Sequence, residues 1–142
     1  MSIGKRSKSQ VEKSRPIVYK RDDERCVVQG TIWAASHPCS GDISLQHRVG
    51  RGRGGSALWD APAFLVCMCW FHNWLQPNDA DFAEFCKQNG FSLARSLADQ
   101  HPISRVPIRY PDGWQLLSGN GRFAISESTA RELMEEIYGE EE

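Results

Sequence analysis

The sequence predicts an α+β fold: a strand hairpin joined to a helix, then a second helix, a small antiparallel meander and a C-terminal helix. The first observation is the alternation of apolar and polar residues in ISLQH at 43–47, which is typical of a strand. The second is a series of short β-type segments, VPIRY, WQLL and RFAIS, separated by turn residues. The third is the helical spacing of apolar residues in 79–88 and 128–138. A chain of 142 residues can build one hydrophobic core but not two independent ones.

The N-terminal segment is strongly basic. Residues 1–14 contain few apolar side chains and are predicted to form a disordered basic arm, followed at 15–20 by a short strand or the start of a helix. Residues 1–21 carry seven lysines and arginines against Glu12 alone, a charge excess that is typical of nucleic-acid binding. A solvated leader without a partner explains the same composition equally well. The acidic residues of 127–142 are interpreted as the solvated end of a helix.

The hairpin-and-helix unit occupies the centre of the chain. Proline and glycine interrupt 31–42, which is therefore predicted as a loop. Four glycines between 48 and 56 exclude a regular element there, and Pro62 excludes a central strand at its own position. The apolar run 63–69 then leads into a helix that is predicted from about residue 69 to about residue 76.

The second half of the chain contains clear start and stop signals. Asn78 is predicted as the N-cap of the second helix and Gly90 as its end. Glycine-containing turns at 111–113 and 118–121 separate the strands of the meander. The last helix is predicted to bury Leu133, Met134 and Ile137.

Composition also predicts where the chain resides. No apolar run approaches the roughly 18 residues that a membrane span requires, and the first residues, MSIGKRSKSQ, lack the hydrophobic segment of a secretory signal. We therefore expect a cytoplasmic location and no membrane partner. In that compartment the five cysteines, an odd number, are expected to be thiols or metal ligands rather than disulfides.

Several short motifs follow one another in a recognisable order. They are Arg21-Asp22, Cys26 and Gly30, then QHR at 46–48, the glycine-rich RGRGGS, APAFL at 61–65, and Cys69 followed four residues later by Asn73. In this order they resemble the HNH (ββα-metal) endonuclease family, in the variant found in phage genomes. The resemblance spans Arg21 to about residue 89. It divides the chain into the basic arm 1–14, an HNH-like module 15–90, and a meander-and-helix extension 91–142 packed on the same core.

The resemblance implies a catalytic site in the central block. His47 matches the general base that takes a proton from water, and Gln46 and Asn73 match the ligands of a divalent cation, Mg²⁺ above all. A carboxylate or histidine is usual at the position of Gln46. Phe64 stands where the family has a bracing asparagine.

The glycine-rich loop supplies candidate phosphate contacts. Glycines allow close approach of the backbone to a nucleic-acid strand, and a guanidinium group binds phosphate through two hydrogen bonds. Arg48, Arg51 and Arg53 are therefore predicted to bind DNA phosphates. The alternative is a basic loop that has no partner.

A structural zinc site is common in the family and is altered here. Cys26, Cys69 and His72 match three of its ligand positions, whereas Gln29 replaces the usual fourth cysteine. Cys39 or Cys67 could supply the missing thiolate if the chain folds back. Otherwise the cysteines are ordinary buried thiols.

The resemblance implies a DNA-binding endonuclease that hydrolyses phosphodiester bonds weakly with a divalent cation. The departures at Gln46, Phe64 and Gln29 motivate an alternative, an inactive module that keeps the fold and binds DNA or a phage or host protein. Cleavage that depends on His47 would favour the first hypothesis, and salt-dependent binding without cleavage the second.

Overall fold

The computed structural model describes residues 8–50 and 57–139, and its mixed α+β architecture confirms the predicted class. The helices and strands in chain order are α1 Gln10–Arg21, α2 Ile32–Ser36, β1 Ile43–His47, β2 Leu65–Cys69, α3 Trp70–Asn78, α4 Ala80–Gln88, α5 Arg95–Ala98, β3 Ile108–Tyr110, β4 Gly113–Ser118, β5 Gly121–Ala124 and α6 Glu127–Tyr138. Short 3₁₀ turns cover Ala57–Asp60, Pro62–Phe64 and Ile103–Arg105. Among the described residues, no helix combines the length and apolar character needed to cross a bilayer.

The hairpin of β1 and β2 is antiparallel, with Ile43 opposite Cys69 and His47 opposite Leu65. The strand β1 has the bounds that its alternation predicts. All five residues of β2 are buried, because α1 packs against the hairpin and the main core also includes β2 residues. The helix α3 begins directly after β2, with Cys69 as its N-cap.

The helix α1 corrects the predicted extent of the basic arm. It begins at Gln10, so residues 10–14 are helical, whereas residues 1–7 lie outside the described part of the chain. The Ser9 hydroxyl accepts a hydrogen bond from the Glu12 backbone N–H and caps the helix. Val18 and Ser14 are buried on the inner face. The sequence did not predict the start of this helix, because only a narrow stripe of it is buried and it therefore needs few apolar residues.

Two local predictions are wrong. The predicted loop 31–42 contains the helix α2, which Thr31 caps through its hydroxyl and which Trp33 anchors against the Phe82 ring at 5.0 Å. A helix of five residues is too short for apolar periodicity to reveal. Asp79 rather than Asn78 caps α4, because its carboxylate accepts the Phe82 backbone N–H while Asn78 ends α3.

The meander shares its core with the hairpin unit. The strands lie in the order β3-β4-β5, and Ile108 and Leu117 pack in the same buried cluster as Val66, Met68 and Phe91. Gly90 adopts a φ of +78°, and a Cβ there would overlap the carbonyl oxygen of Pro107. The 91–139 segment is therefore packed directly against the elements that carry the candidate site.

Candidate functional site

Four side chains form a compact cluster at the start of α3. They are Cys26, Cys39, Cys69 and His72, and their ligand atoms all lie within 4.8 Å of one another. The Nδ1 atom of His72 is 3.6, 3.7 and 3.1 Å from the Sγ atoms of Cys26, Cys39 and Cys69, respectively. A tetrahedral zinc ion separates its sulfur and nitrogen ligands by about 3.5 Å. The cluster could therefore hold a metal such as zinc.

Backbone hydrogen bonds bring these four residues together from distant parts of the chain. The Val27 N–H donates to the Cys67 carbonyl, which places Cys26 beside the hairpin. The Phe71 N–H donates to the Ser40 carbonyl, which places the loop of Cys39 against α3. Cys69 and His72 are three residues apart, so they lie on one side of the first helical turn.

The orientation of His72 suits a metal ligand. Its Nε2 lies 2.7 Å from the His37 carbonyl oxygen, which can only accept, so Nε2 carries the proton and Nδ1 presents a lone pair to the three sulfurs. A hydrogen bond of this kind commonly orients metal-binding histidines. Burial lowers the pKa of His72 and favours the neutral ring. Burial also raises the pKa of Cys26 and Cys39, so a metal would have to displace thiol protons on binding.

The structure selects Cys39 as the fourth member of the cluster. It brings together Cys26, Cys69 and His72 as the sequence predicted, whereas the Cys67 Sγ lies under α1, 3.9 Å from the Val18 carbonyl oxygen. Gln29 is exposed and does not join the group. The sequence offered no decisive signal for Cys39, because it lies outside the paired motif.

A cavity of about 880 Å³ lies between the end of β1 and the helices α3 and α4. Gln46, His47 and Asn73, the three residues predicted for the catalytic site, all line it. Glu84 and Lys87 of α4 supply the charged side chains of its opposite wall. The predicted residues are therefore neighbours of one cavity, and the charge from α4 was not foreseen.

The two amides of this cavity are bound to the backbone of the hairpin. The Gln46 amide nitrogen donates to the His47 carbonyl oxygen at 2.9 Å, and Gln46 is buried. The Asn73 amide nitrogen donates to the Ser44 hydroxyl at 2.9 Å and to the Leu45 carbonyl oxygen at 3.3 Å. Neutral amide oxygens alone are a weak donor set for Mg²⁺, which prefers carboxylates. This geometry therefore does not support the predicted magnesium site.

His47 makes a contact that sequence reasoning missed. Its Nε2 lies 2.8 Å from Oδ1 of Asp60, and the two side chains are 27% and 6% exposed. Asp60 is the last residue of the 3₁₀ turn Ala57–Asp60. Phe64 occupies the predicted position of the bracing asparagine, and its ring packs edge-on against Trp59 at 5.3 Å. No spacing rule connects His47 with an aspartate across the intervening glycine-rich sequence.

The structure corrects the assignment of Arg48 as a phosphate contact. Arg48 is fully buried, and its guanidinium donates to the carbonyl oxygens of Gly90, Ala63 and Val106. Burial lowers its pKa to about 10, so it stays charged at neutral pH. The chain turns inward directly after β1, which places this side chain in the core instead of on the loop surface. Arg51 and Arg53 lie outside the described residues.

No family model, curated protein or solved structure matches this chain. The mixed α+β fold and the cluster of three cysteines and a histidine are compatible with a zinc-binding HNH-like module.

Proposed function

We propose that this protein is an HNH-like, DNA-binding module that carries a structural zinc site and hydrolyses phosphodiester bonds slowly, with His47 as the general base. The observation that carries the proposal is the His47–Asp60 pair at the end of β1, beside the cavity that Asn73 of α3 also lines. A histidine that is partly exposed and held by a carboxylate is suited to take a proton from an attacking water.

The zinc site would have a structural role. Three cysteines and one histidine fill the four positions of a tetrahedral zinc ion, so no position is left for a catalytic water. The bound ion would connect the loops that carry Cys26 and Cys39 to the first turn of α3. It would thereby fix the helix that also carries Asn73.

The exposed basic side chains of α1 support the choice of DNA as the partner. Lys13, Arg15 and Lys20 are exposed on this helix. Between the first two, the Ser14 hydroxyl donates to the backbone carbonyl of Asp60, the partner of His47. This hydrogen bond joins α1 to the turn that carries Asp60, and the exposed positive side chains of the helix would attract the phosphate backbone.

A plasmid-nicking assay tests the catalytic proposal. Supercoiled plasmid is incubated with the full chain and Mg²⁺ or Mn²⁺, and the loss of the supercoiled form is followed. Because neutral amides hold these cations weakly, we expect slow nicking. The variant His47→Ala should lower the rate about 100-fold or more. The control His101→Ala removes a histidine outside the cavity lining and should nick like the wild type. Unchanged nicking by His47→Ala would remove this residue as the base.

A second candidate function is a binding module without catalysis. The observation that favours it is the engagement of both amide nitrogens, those of Gln46 and Asn73, with the hairpin, together with an aromatic ring at Phe64. This candidate predicts strong, salt-dependent binding to duplex DNA and no nicking by the wild type. Fluorescence anisotropy at low and moderate salt measures the binding. Absence of binding at low salt would favour a phage or host protein as the partner.

A further inference from the structure

We infer that Asp60 is the positioning residue of His47: it holds the imidazole with Nε2 towards itself and leaves Nδ1 as the proton acceptor at the cavity. The inference deepens the proposed function and rests on it for its catalytic meaning. Its physical basis is the 2.8 Å contact between His47 Nε2 and Asp60 Oδ1.

The chemistry of the contact determines which nitrogen is protonated. A carboxylate only accepts hydrogen bonds, so the proton between the two groups resides on Nε2. In the neutral ring the lone pair then lies on Nδ1. Within 8–50 and 57–139, Nδ1 of His47 has no hydrogen-bond partner, and the side chain lines the cavity while remaining 27% exposed.

Asp60 is itself held in place by α1. Its side chain is buried, and its backbone carbonyl accepts the Ser14 hydroxyl at 2.7 Å. Ser14 is fully buried on α1 and also accepts the side-chain amide of Gln10 at 2.9 Å. A helix outside the hairpin therefore helps to position the residue that carries the carboxylate. A rigid supporting group of this kind limits rotation of the histidine ring that it contacts.

Nuclear magnetic resonance of the ring nitrogens tests the contact without any activity measurement. In the zinc-supplemented full chain, the His47 signals are assigned by their loss in His47→Ala. We expect protonation at Nε2 and an Nε2–H proton that exchanges slowly with water. Asp60→Ala should abolish the slow exchange, and Asp60→Glu should retain it at least in part. Protonation at Nδ1 in the wild type, or slow exchange that survives Asp60→Ala, would overturn the inference.

The nicking assay tests the catalytic consequence. Asp60→Ala should lower kcat by about tenfold or more, while the DNA concentration for half-maximal rate changes less than about twofold. Asp60→Glu should restore part of kcat, and the exposed control Asp99→Ala should leave it unchanged. In a His47→Ala background, Asp60→Ala should cause no further loss, and an equal further loss would overturn the inference.

The two proposals fail in different ways. Should the wild type not nick, the proposed hydrolysis would be wrong, and the ring spectra alone would decide whether Asp60 positions His47. Thermal unfolding followed by circular dichroism checks that each variant is folded. If Asp60→Ala does not fold, the spectrum of Ser14→Ala carries the test: faster Nε2–H exchange than in the wild type is expected, and unchanged exchange would overturn the inference.

Discussion

At the scale of single residues, Cys39 determines whether the metal cluster is complete. It is the most exposed member of the four, and it lies 3.7 Å from Nδ1 of His72. With Cys39 present, the group could supply the three thiolates and one imidazole of a closed zinc site. Without it, three ligands remain and the site opens to water.

The first prediction concerns the zinc content. The purified wild type should contain about one zinc per chain, and Cys39→Ala should bind zinc at least about tenfold more weakly, because a thiolate ligand is lost. Elemental analysis and competition with a chromophoric chelator measure both quantities. The matched control is Cys86→Ala, which removes a buried thiol outside the cluster and should retain zinc. A wild type without zinc, or Cys39→Ala with undiminished affinity, would contradict the assignment.

The second prediction concerns Arg48, whose role is structural. Arg48→Met should lower the free energy of unfolding by about 3 kcal/mol or more, because three buried carbonyl oxygens lose their donors. Urea denaturation measures the change. Arg109→Met removes an exposed arginine of β3 and should cost less than about 0.5 kcal/mol. Equal stability of the two variants would mean that the guanidinium is not needed in the core.

At the scale of elements, α3 contributes residues to both candidate sites. Its first turn contributes Cys69 and His72 to the metal cluster, while Asn73 faces β1 and the cavity. The same helix exposes Trp70 and Trp74, whose rings stack at 6.4 Å. A change in how the Cys39 loop meets this helix should therefore affect the metal site first.

Gly41 provides the third prediction, at this contact between loop and helix. It has a φ of +80°, and a Cβ there would lie 2.8 Å from the Cβ of Trp70. Gly41→Ala should lower the free energy of unfolding by about 1–3 kcal/mol more than Gly119→Ala, and should weaken zinc binding. Gly119 also has a positive φ, but nothing lies within 4 Å of its added Cβ, so it reports the backbone cost alone. Equal losses in both variants would exclude the close contact as the cause.

At the scale of the whole molecule, one hydrophobic core contains residues of the cysteine–histidine cluster and residues of the meander. Cys26 and Cys69 belong to the same buried cluster as Ile108 and Leu117. The second cluster, built around Val49, Leu93 and Ile137, joins the end of the hairpin to α6. Loss of the contacts among the candidate metal ligands should therefore destabilise the entire fold and not a separate subdomain.

The fourth prediction is the effect of metal removal. A strong zinc chelator should lower the unfolding temperature by about 10 °C or more, because metal-binding free energy contributes to folding. The unfolding should remain a single transition, since the core is shared. Differential scanning calorimetry measures both, with the same chelator preloaded with zinc as the control. An unchanged unfolding temperature, or two separate transitions, would contradict the shared core or the structural role of the metal.

The sequence by itself determined the features that depend on neighbouring residues. The alternation in ISLQH predicted the bounds of β1, and glycine-containing turns predicted the three-stranded meander. Both signals are local, because strand pleating and turn geometry act over a few residues. The same local rules missed α2, whose short length gave no periodicity, and the first residues of α1, which bury only a narrow face.

Only the tertiary structure decided which side chains meet at the candidate sites. In the structure, Cys39 and not Cys67 is the fourth member of the cysteine–histidine cluster. His47 contacts Asp60, and the Arg48 side chain lies in the core. Each of these side-chain positions depends on how the connecting segments pack against the hairpin. That packing involves residues that are distant in the sequence. The sequence supplies the residue types that the chemistry requires, whereas the distances between their side chains depend on packing in the shared core.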